Sequence, residues 1–464
     1  MSTSQPEQLL QQAVQAHQAG DLARAETLYR QILAYQPNHA DAQHLLGLVC
    51  YAHGDLAAAA EHVQCAIAAA PLMAVFQFNL SNILRDDGDL DRARAACEEA
   101  VRLQPDAADY HNNLGLLNEE SGALRQAVTC YRQAVALAAD DATLWVNLAV
   151  ALQQLGQGTE AAECYRRALR LQPLHAQALN NLGGLLQAGG DFVAAARLYQ
   201  AALQAAPEMA EAHRNYGGLL EVGGDREGAL HHYTEALRLK PDYAEVAYVL
   251  AALRGEAAPN TAPGDYVAAL FDQYADEFDE HLTGVLGYRT PAMLRSLYDR
   301  CAGQAGGKVL DLGCGTGLAG AAFRDVATYL AGVDLSPRML EKAQLRGIYD
   351  ELTVADVVAA LQQRPQAWDV LVAADVLVYI GDLVPIFAAA QSALRYGGWL
   401  LFSVEQGETD SFVLREAGRY AHSAVYVREL AVRYGLAVRA EEAVVLRQNL
   451  GVDVPGWLYA IQQA

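Results

Sequence analysis

The chain has no run of the roughly 18 apolar residues that a bilayer-spanning helix needs, although 53% of its 464 residues are hydrophobic. Abundant Ala and short apolar runs account for that percentage, and a helical membrane span is excluded. The opening stretch, MSTSQPEQLLQQAVQAHQAG, has neither a basic segment nor an apolar core. It does not read as a secretory signal, and the cytoplasm is the expected compartment. The seven cysteines, Cys50, Cys65, Cys97, Cys130, Cys164, Cys301 and Cys314, form no C-x-x-C pair. An odd number suits neither a disulfide framework nor a four-ligand zinc site, so they are expected to be reduced packing residues. His231 and His232 are adjacent, which aims them at different faces of a helix, and no third ligand accompanies them; no metal site is expected. Positive charge is also scarce: 33 Lys and Arg stand against 55 Asp and Glu, for a net charge of −22. The acid excess extends over both halves and argues against nucleic acid as a partner, because such binding rests on cationic contacts to phosphate.

What is present is a period. Proline recurs at Pro37, Pro71, Pro105, Pro173, Pro207 and Pro241, with Ala139 in the one vacant slot. In the same 34-residue register stand Gly20, Gly54, Gly88, Gly122, Gly156, Gly190 and Gly224, and also Ala25, Ala59, Ala93, Ala127, Ala161, Ala195 and Ala229. Each repeat reads as two helices: Gly ends the first in a conformation few other residues tolerate, and Pro closes the second. The Ala allows close approach of two helices. Four residues later Tyr29, Tyr131, Tyr165, Tyr199 and Tyr233 supply bulk, with Val63 and Cys97 as smaller substitutes, and are expected to be knobs for the neighbouring repeat.

Over residues 4–241 this pattern resembles the tetratricopeptide repeat family, and PDYAEVAYVLAALRG reads as a final helix covering the last open edge. The resemblance implies an all-α superhelix of seven repeats plus a terminal helix, with a concave surface. A further column, Asn79, Asn113, Asn147, Asn181 and Asn215, recurs on the first helix of five consecutive repeats. In superhelical members such as the O-linked N-acetylglucosamine transferase this position faces the groove and binds an extended peptide backbone, and an amide can both donate and accept as a peptide unit does. The resemblance thus implies a protein or peptide partner in the groove, extended or basic. The competing reading is that the Asn residues bridge or cap neighbouring helices.

After Leu253 the period stops and GEAAPNTAPG cannot continue a helix. The expected organisation is a repeat domain over 1–254, a linker over 255–264 and a second domain over 265–464. In the second domain the apolar runs KVLDLG, LAGVDLS, DVLVAADVL and GWLLFSVE alternate with helical stretches, which predicts a parallel sheet covered on both faces.

The sharpest signal is Val309-Leu310-Asp311-Leu312-Gly313-Cys314-Gly315-Thr316-Gly317, a buried strand entering a glycine-rich turn and then a helix. Glycine there lets a ligand touch backbone. A dinucleotide site would require G-x-G-x-x-G, but after Gly313 and Gly315 the third slot is Leu318. The pattern D-x-G-x-G-x-G of nucleoside methyltransferases fits without a gap, and Gly-Val-Asp334-Leu335-Ser follows a second strand. As a whole, residues 264–464 resemble the class I methyltransferases, an α/β Rossmann-like fold with a seven-stranded sheet whose last two strands, here VRAEEAVVLR and PGWLYAIQ, form an antiparallel hairpin. The resemblance implies S-adenosyl-L-methionine as cofactor, held by Asp311, Gly313, Cys314, Gly315 and Gly317. It further implies that Asp334, with Leu335 behind it, chelates the ribose hydroxyls, and that Asp356 and Val357 meet the adenine. For Asp356 the competing reading is an exposed helix cap. Asp375, in the loop after the fourth strand, is implied beside the transferred methyl, as a cofactor contact, a catalytic group or both.

Ahead of the loop, ALFDQYADEFDEHLTGVLGYRTPAML resembles the Y-D-x-x-A-x-x-Y-D segment that folds over the methionine end of the cofactor. It implies Tyr274 as a contact, with Phe271 and Phe278 as packing, and Arg289 as a partner for the cofactor or substrate carboxylate. After the fifth strand comes an insertion, GETDSFVLREAGRYAHSAVYVREL, where class I enzymes build specificity. Its capable residues are Arg419 and Tyr426 for substrate and Tyr420 and His422 for catalysis, His422 as a general base. The fourth-strand loop reads Ala-Asp-Val-Leu and not Asn/Asp-Pro-Pro-Tyr, which makes nucleic-acid bases poor acceptors. As a whole the chain resembles bacterial predicted methyltransferases with an N-terminal repeat array. Three functions compete: methyl transfer to a polypeptide recruited by the repeats, methyl transfer to a small metabolite or carrier-bound intermediate with the repeats serving localisation or oligomerisation, and a non-catalytic repeat adaptor.

Overall fold

The computed structural model describes residues 5–255, 259–276, 278–280, 282, 284, 287–303, 306–449 and 452–464. Positions 256–258 of the expected linker and positions 277, 281, 283 and 285–286 of the segment ahead of the first strand lie outside the described residues. The chain divides into two compact units, Met1–Gly224 and Asp225–Ala464. The sequence period and the packing therefore mark different places: the seventh repeat begins before this division and its second helix belongs to the second unit. No helix among the described residues is long and apolar enough to cross a membrane.

The first unit is a run of antiparallel helix pairs, α1 (Gln5–Gln18) through α13 (Ala210–Val222), without a strand among the described residues. The turn glycines adopt φ between 75° and 84°. The Asp that follows in Asp21, Asp55, Asp89 and Asp191 caps the second helix by accepting from a backbone N–H three residues on. The Ala column is wholly buried. The tyrosines meet the neighbouring repeat, Tyr199 lying 6.3 Å from the Tyr216 ring and Tyr165 accepting from Asn181 at 3.2 Å, and they also pack against their own first helix. They fill space within their own repeat: a Cβ on Gly115 would lie 2.5 Å from the Tyr131 ring, and one on Gly183 would lie 2.8 Å from Tyr199. Their hydroxyls confirm the pairing, with Tyr165 donating to Gln153 at 3.1 Å and Tyr199 to Gln187 at 2.9 Å. The absence of a side chain on the first helix thus makes room for bulk on the second.

The second unit begins with α14 (Arg226–Leu239) and α15 (Ala244–Arg254), then α16 (Gly264–Tyr274), the single turn α17 (Phe278–Glu280) and α18 (Thr290–Ala302). A sheet follows: β1 (Gly307–Leu312), β2 (Ala327–Asp334), β3 (Glu351–Val354), β4 (Trp368–Ala373) and β5 (Leu394–Gln406) are parallel in the order β3-β2-β1-β4-β5. Helices α19 (Leu318–Phe323), α20 (Pro337–Leu345), α21 (Val357–Gln363) and α22 (Val384–Ala393) make the crossovers. After the short strands β6 (Phe412–Arg415) and β7 (Arg419–His422) come α23 (Ala424–Arg433) and the antiparallel pair β8 (Leu436–Asn449) and β9 (Val452–Gln463), with β9 antiparallel to β5. Seven of the nine strands are the expected ones. The other two, β6 and β7, are a hairpin in the insertion, and β7 extends the carboxyl end of β5 at Glu405 and Gln406. The polar residues of that insertion hide the alternation of both short strands.

Alternation along the buried strands feeds two cores, one on each face of the sheet. Leu310, Leu371 and Leu400 pack on one face with Phe387 and Phe402, and Val309, Val370 and Leu401 on the other with Tyr298 and Phe323.

Candidate functional site

The site gathers at the carboxyl ends of the parallel strands. Gly313, Gly315 and Gly317 have φ of 60°, 54° and 96°, a region that side chains disfavour. At Gly313 a Cβ would also lie 2.7 Å from Val376, so the loop packs directly against the segment after β4. Asp334, the last residue of β2, accepts from the Gly315 N–H at 2.8 Å and from the Ser336 N–H at 2.9 Å. It therefore ties the glycine loop to the turn into α20, where Leu335 is partly buried. Burial raises the Asp334 pKa and those backbone donors work against the rise. Cys314 contributes backbone, its N–H donating to the Val333 carbonyl at 2.9 Å. Its thiol is turned inward, so close to Gly332 that a Cβ there would be 2.9 Å from the sulfur, and burial raises its pKa well above the ordinary value.

Asp311 is buried on β1. Tyr349 donates to its Oδ2 at 2.6 Å, while Oδ1 has no hydrogen-bond partner among the described residues. Burial pushes the carboxyl up to about 7, opposed by the Tyr349 hydroxyl and reinforced by Asp334. Asp356 is exposed and caps α21 through Oδ1, accepting from Val358 and Ala359 N–H at 3.0 Å each, with Val357 buried as the first residue of that helix. The helix-cap reading describes this geometry, and Oδ2 is not used by the cap.

The segment ahead of β1 is clasped over the loop by charge. Asp276 pairs with Arg338 at 2.8 Å and with Lys342 at 2.7 Å, Asp272 accepts from the Ser336 hydroxyl and the Arg338 N–H, and Asp279 accepts from Thr316 and Arg346. Sequence reasoning missed this clasp. The signal was present: acids at 272, 276 and 279 and bases at 338, 342 and 346 share the three- and four-residue spacing of helix faces. Tyr274 is in edge contact with Phe278 at 5.6 Å, and Phe278 sits by Gly315. Arg289 is exposed at the cap position of α18, where its side chain does not cap.

Beyond β4, Asp375 holds φ of 61°, and its N–H donates to the Ser403 hydroxyl at 2.9 Å. Its carboxylate is engaged by Arg447 at 3.1 Å and by Arg419 at 3.2 Å. Arg447 also pairs with the buried Glu405, and Arg415 reaches Glu405 at 3.4 Å. Burial works against the Arg419 charge, but the facing Tyr379, Asp375 and Glu405 more than offset it. Arg447, Glu405 and Tyr379 were not among the sequence candidates, since only β8, β5 and the turn after β4 meeting in space brings them together.

The other two side chains expected to be catalytic, Tyr420 and His422, lie elsewhere. Tyr420 is wholly buried, donates to the Pro259 carbonyl and has its pKa pushed up to about 12 by burial. His422 is wholly buried, its Nε2 within 2.9 Å of the Ile380 carbonyl and 3.0 Å of that of Gly381, and burial lowers its pKa to about 4. A ring tied to two carbonyls inside the protein positions the segment after β4 and cannot relay a proton to solvent. Tyr426 is likewise structural: it donates to Asp382 at 2.9 Å and accepts from the Leu383 N–H at 3.0 Å.

In the first unit each Asn of the column bonds to the preceding repeat. Asn79 reaches His44 at 2.7 Å, Asn147 donates to Asn112 at 2.9 Å and Asn215 to Asn180 at 2.9 Å, each 35 residues back. Asn113 donates to Ser81 at 3.0 Å and Asn181 to Tyr165 at 3.2 Å. The column is a ladder between repeats, which is the bridging alternative to a peptide ladder.

A methyltransferase domain model matches residues 310–400, and a tetratricopeptide repeat model matches 10–74, 78–142, 146–210 and 185–244. The ubiquinone biosynthesis O-methyltransferase of Albidiferax ferrireducens is 28% identical over 162 residues, 32% of this chain and 61% of that protein. The enzyme of the same name from Thiobacillus denitrificans is 29% identical over 165 residues, 33% of this chain and 68% of that protein. The chain thus spans less than two thirds of the first relative. Among solved structures, pilF of Pseudomonas aeruginosa is similar at 21% identity and a TM-score of 0.40, over 44% of this chain and 92% of that one. The chain is a tetratricopeptide-repeat protein that carries a methyltransferase domain.

Proposed function

We propose that the second unit binds S-adenosyl-L-methionine and methylates an oxygen of a small hydroxylated acceptor. The observation that carries this reading is a carboxylate at the end of each of four successive strands: Asp311 on β1, Asp334 on β2, Asp356 after β3 and Asp375 after β4. Such a row, set around three left-handed glycines and including a buried carboxylate oxygen without a partner, suits a ligand that carries positive charge and hydroxyls. When bound, the cofactor supplies an electrophilic methyl on a sulfonium. The backbone of Gly313, Cys314, Gly315 and Gly317 would hold it together with Asp311, Asp334, Leu335, the second oxygen of Asp356, Val357 and Tyr274. Asp375, fixed by two guanidiniums, orients the acceptor side and does not serve as a free base. Exclusion of water by Phe271, Tyr274 and Phe278, and placement of the acceptor, are then the protein's main contributions to rate. The similarity to O-methyltransferases supports oxygen as the acceptor atom.

In this reading the repeats recruit or localise the enzyme through a protein partner, and their acid excess favours a basic or extended one. Polypeptide methylation is the second reading, supported by the same acid excess. Calorimetry of S-adenosylmethionine and S-adenosylhomocysteine against the full chain and its Asp334→Ala variant tests the assignment. Binding that weakens at least about tenfold in the variant, ~1.4 kcal/mol, is the expected result. Failure of the unaltered chain to bind either compound would leave an adaptor.

A further inference from the structure

Charge at the carboxyl ends of β4 and β5 does not balance. Among the described residues, Arg415, Arg419 and Arg447 pair with two carboxylates, Asp375 and Glu405, and the pairings run through both. Arg447 is 7% exposed and lies between them, whereas Arg415, at 37%, sits at the rim. Arg419, 25% exposed, is stacked on the Tyr379 ring at 5.5 Å, with Nη2 donating to the Tyr379 hydroxyl at 3.2 Å. Tyr379 is in edge contact with Phe271 at 5.5 Å, and Phe271 with Phe278 at 5.9 Å, beside Gly315. An aromatic wall therefore runs from the glycine loop to a guanidinium that is still partly open. An excess of positive charge around the buried Arg447 and Glu405 favours an anion at the open side of Arg419, and the planar fork of Arg matches a carboxylate.

From this geometry we propose that the methyl acceptor is an aromatic or conjugated acid, its ring against Tyr379 and Phe271 and its carboxylate on Arg419. The inference rests on the methyltransferase reading and names the substrate class of that site. It also gives the β6–β7 hairpin a task, since that hairpin supplies Arg415 and Arg419 to a sheet that is otherwise complete without it.

A carboxylate on Arg419 could come from the acceptor or from the cofactor's own methionine, and the test separates them. The full chain is saturated with S-adenosylhomocysteine and titrated with 3,4-dihydroxybenzoate or with its neutral amide, 3,4-dihydroxybenzamide. The acid is expected to bind at least about tenfold more tightly than the amide. Arg419→Gln should abolish that preference and Arg419→Lys should keep part of it, both with unchanged affinity for S-adenosylhomocysteine, which also shows that the variants fold. Equal binding of acid and amide, or no binding of the acid at millimolar concentration, overturns the inference while leaving the methyltransferase reading intact. Loss of S-adenosylhomocysteine affinity in Arg419→Gln, with the folded fraction unchanged by circular dichroism, assigns the anion to the cofactor and overturns it too. If the unaltered chain does not bind S-adenosylhomocysteine at all, the failure is that of the underlying reading.

Discussion

The hydroxyl of Tyr248 on α15 donates to the carbonyl of Gly418, in the turn between β6 and β7, at 2.8 Å. Its ring lies 6.1 Å from Tyr420 and 5.5 Å from Tyr266. Arg226 on α14 adds an ion pair to Glu416 in the same turn. The helices that end the repeat pattern thus brace the hairpin that presents Arg415 and Arg419. Tyr248→Phe should lower stability by about 1 kcal/mol, the net value of one hydrogen bond. Tyr248→Ala should cost about 3 to 5 kcal/mol as a large core truncation. Urea unfolding of both variants measures the difference, and equal losses would mean that the ring contributes nothing.

Asp311 makes stability and ligand binding depend on pH. Its pKa is raised from 3.8 to about 7 in the folded chain. A carboxyl with a raised folded pKa favours the folded state when protonated, so its contribution is complete below pH 3.8 and is lost as pH rises through about 7. The melting temperature of the protein should therefore fall relative to that of Asp311→Asn between about pH 4 and 7 and run parallel to it above that range, and S-adenosylmethionine should bind more tightly as the same group ionises. Melting curves and calorimetry across that range check both; parallel curves for the two proteins would remove Asp311 from the argument.

His422 acts on the acid limb. With its pKa lowered from 6.5 to about 4 by burial, its contribution is complete above pH 6.5 and is lost as pH falls through about 4. Replacement by Gln, which cannot protonate there, should flatten the acid limb of a stability profile. An unchanged limb would mean that other groups control acid unfolding.

Gly313→Ala joins a left-handed φ of 60° to a Cβ 2.7 Å from Val376. The backbone term alone is about 1 to 2 kcal/mol, so S-adenosylhomocysteine affinity should drop by at least about tenfold, with a smaller loss of melting temperature. Retention of full affinity would show that the loop is not the cofactor cradle.

The Asn ladder yields a double-mutant cycle. Asn147→Ala and Asn112→Ala should couple by about 0.5 to 1.5 kcal/mol, because the 2.9 Å bond between them joins neighbouring repeats. Cofactor affinity should be the same in all four proteins. Zero coupling energy would return the column to the peptide-groove reading.

Local chemistry was legible where one residue's conformation decides the outcome. The 34-residue period marks each turn because only glycine accepts φ near 80° without strain, and the loop from Asp311 to Gly317 announces itself for the same reason. Strands β1, β2, β4 and β5 stand out as apolar runs because they are buried on both faces. The exchange of bulk between Gly115 and Tyr131 was half visible: the Tyr column was plain, but its partner could not be chosen between its own repeat and the next.

Two architectures, the order of their elements and the four acids at the strand ends can be read from the chain, because all are properties of short stretches of it. Which polar side chains meet at the strand ends depends on the fold. His422, Tyr420 and Tyr426 look reactive in the chain and are consumed by buried hydrogen bonds, whereas Arg447, Glu405 and Tyr379 look ordinary and meet around Asp375. The physical reason is that a titratable group takes its character from burial and from the charges facing it. Those neighbours come from segments 28 to 72 residues apart in the chain, as Asp375 is from Ser403, Arg419 and Arg447, separated from it by 28, 44 and 72 residues.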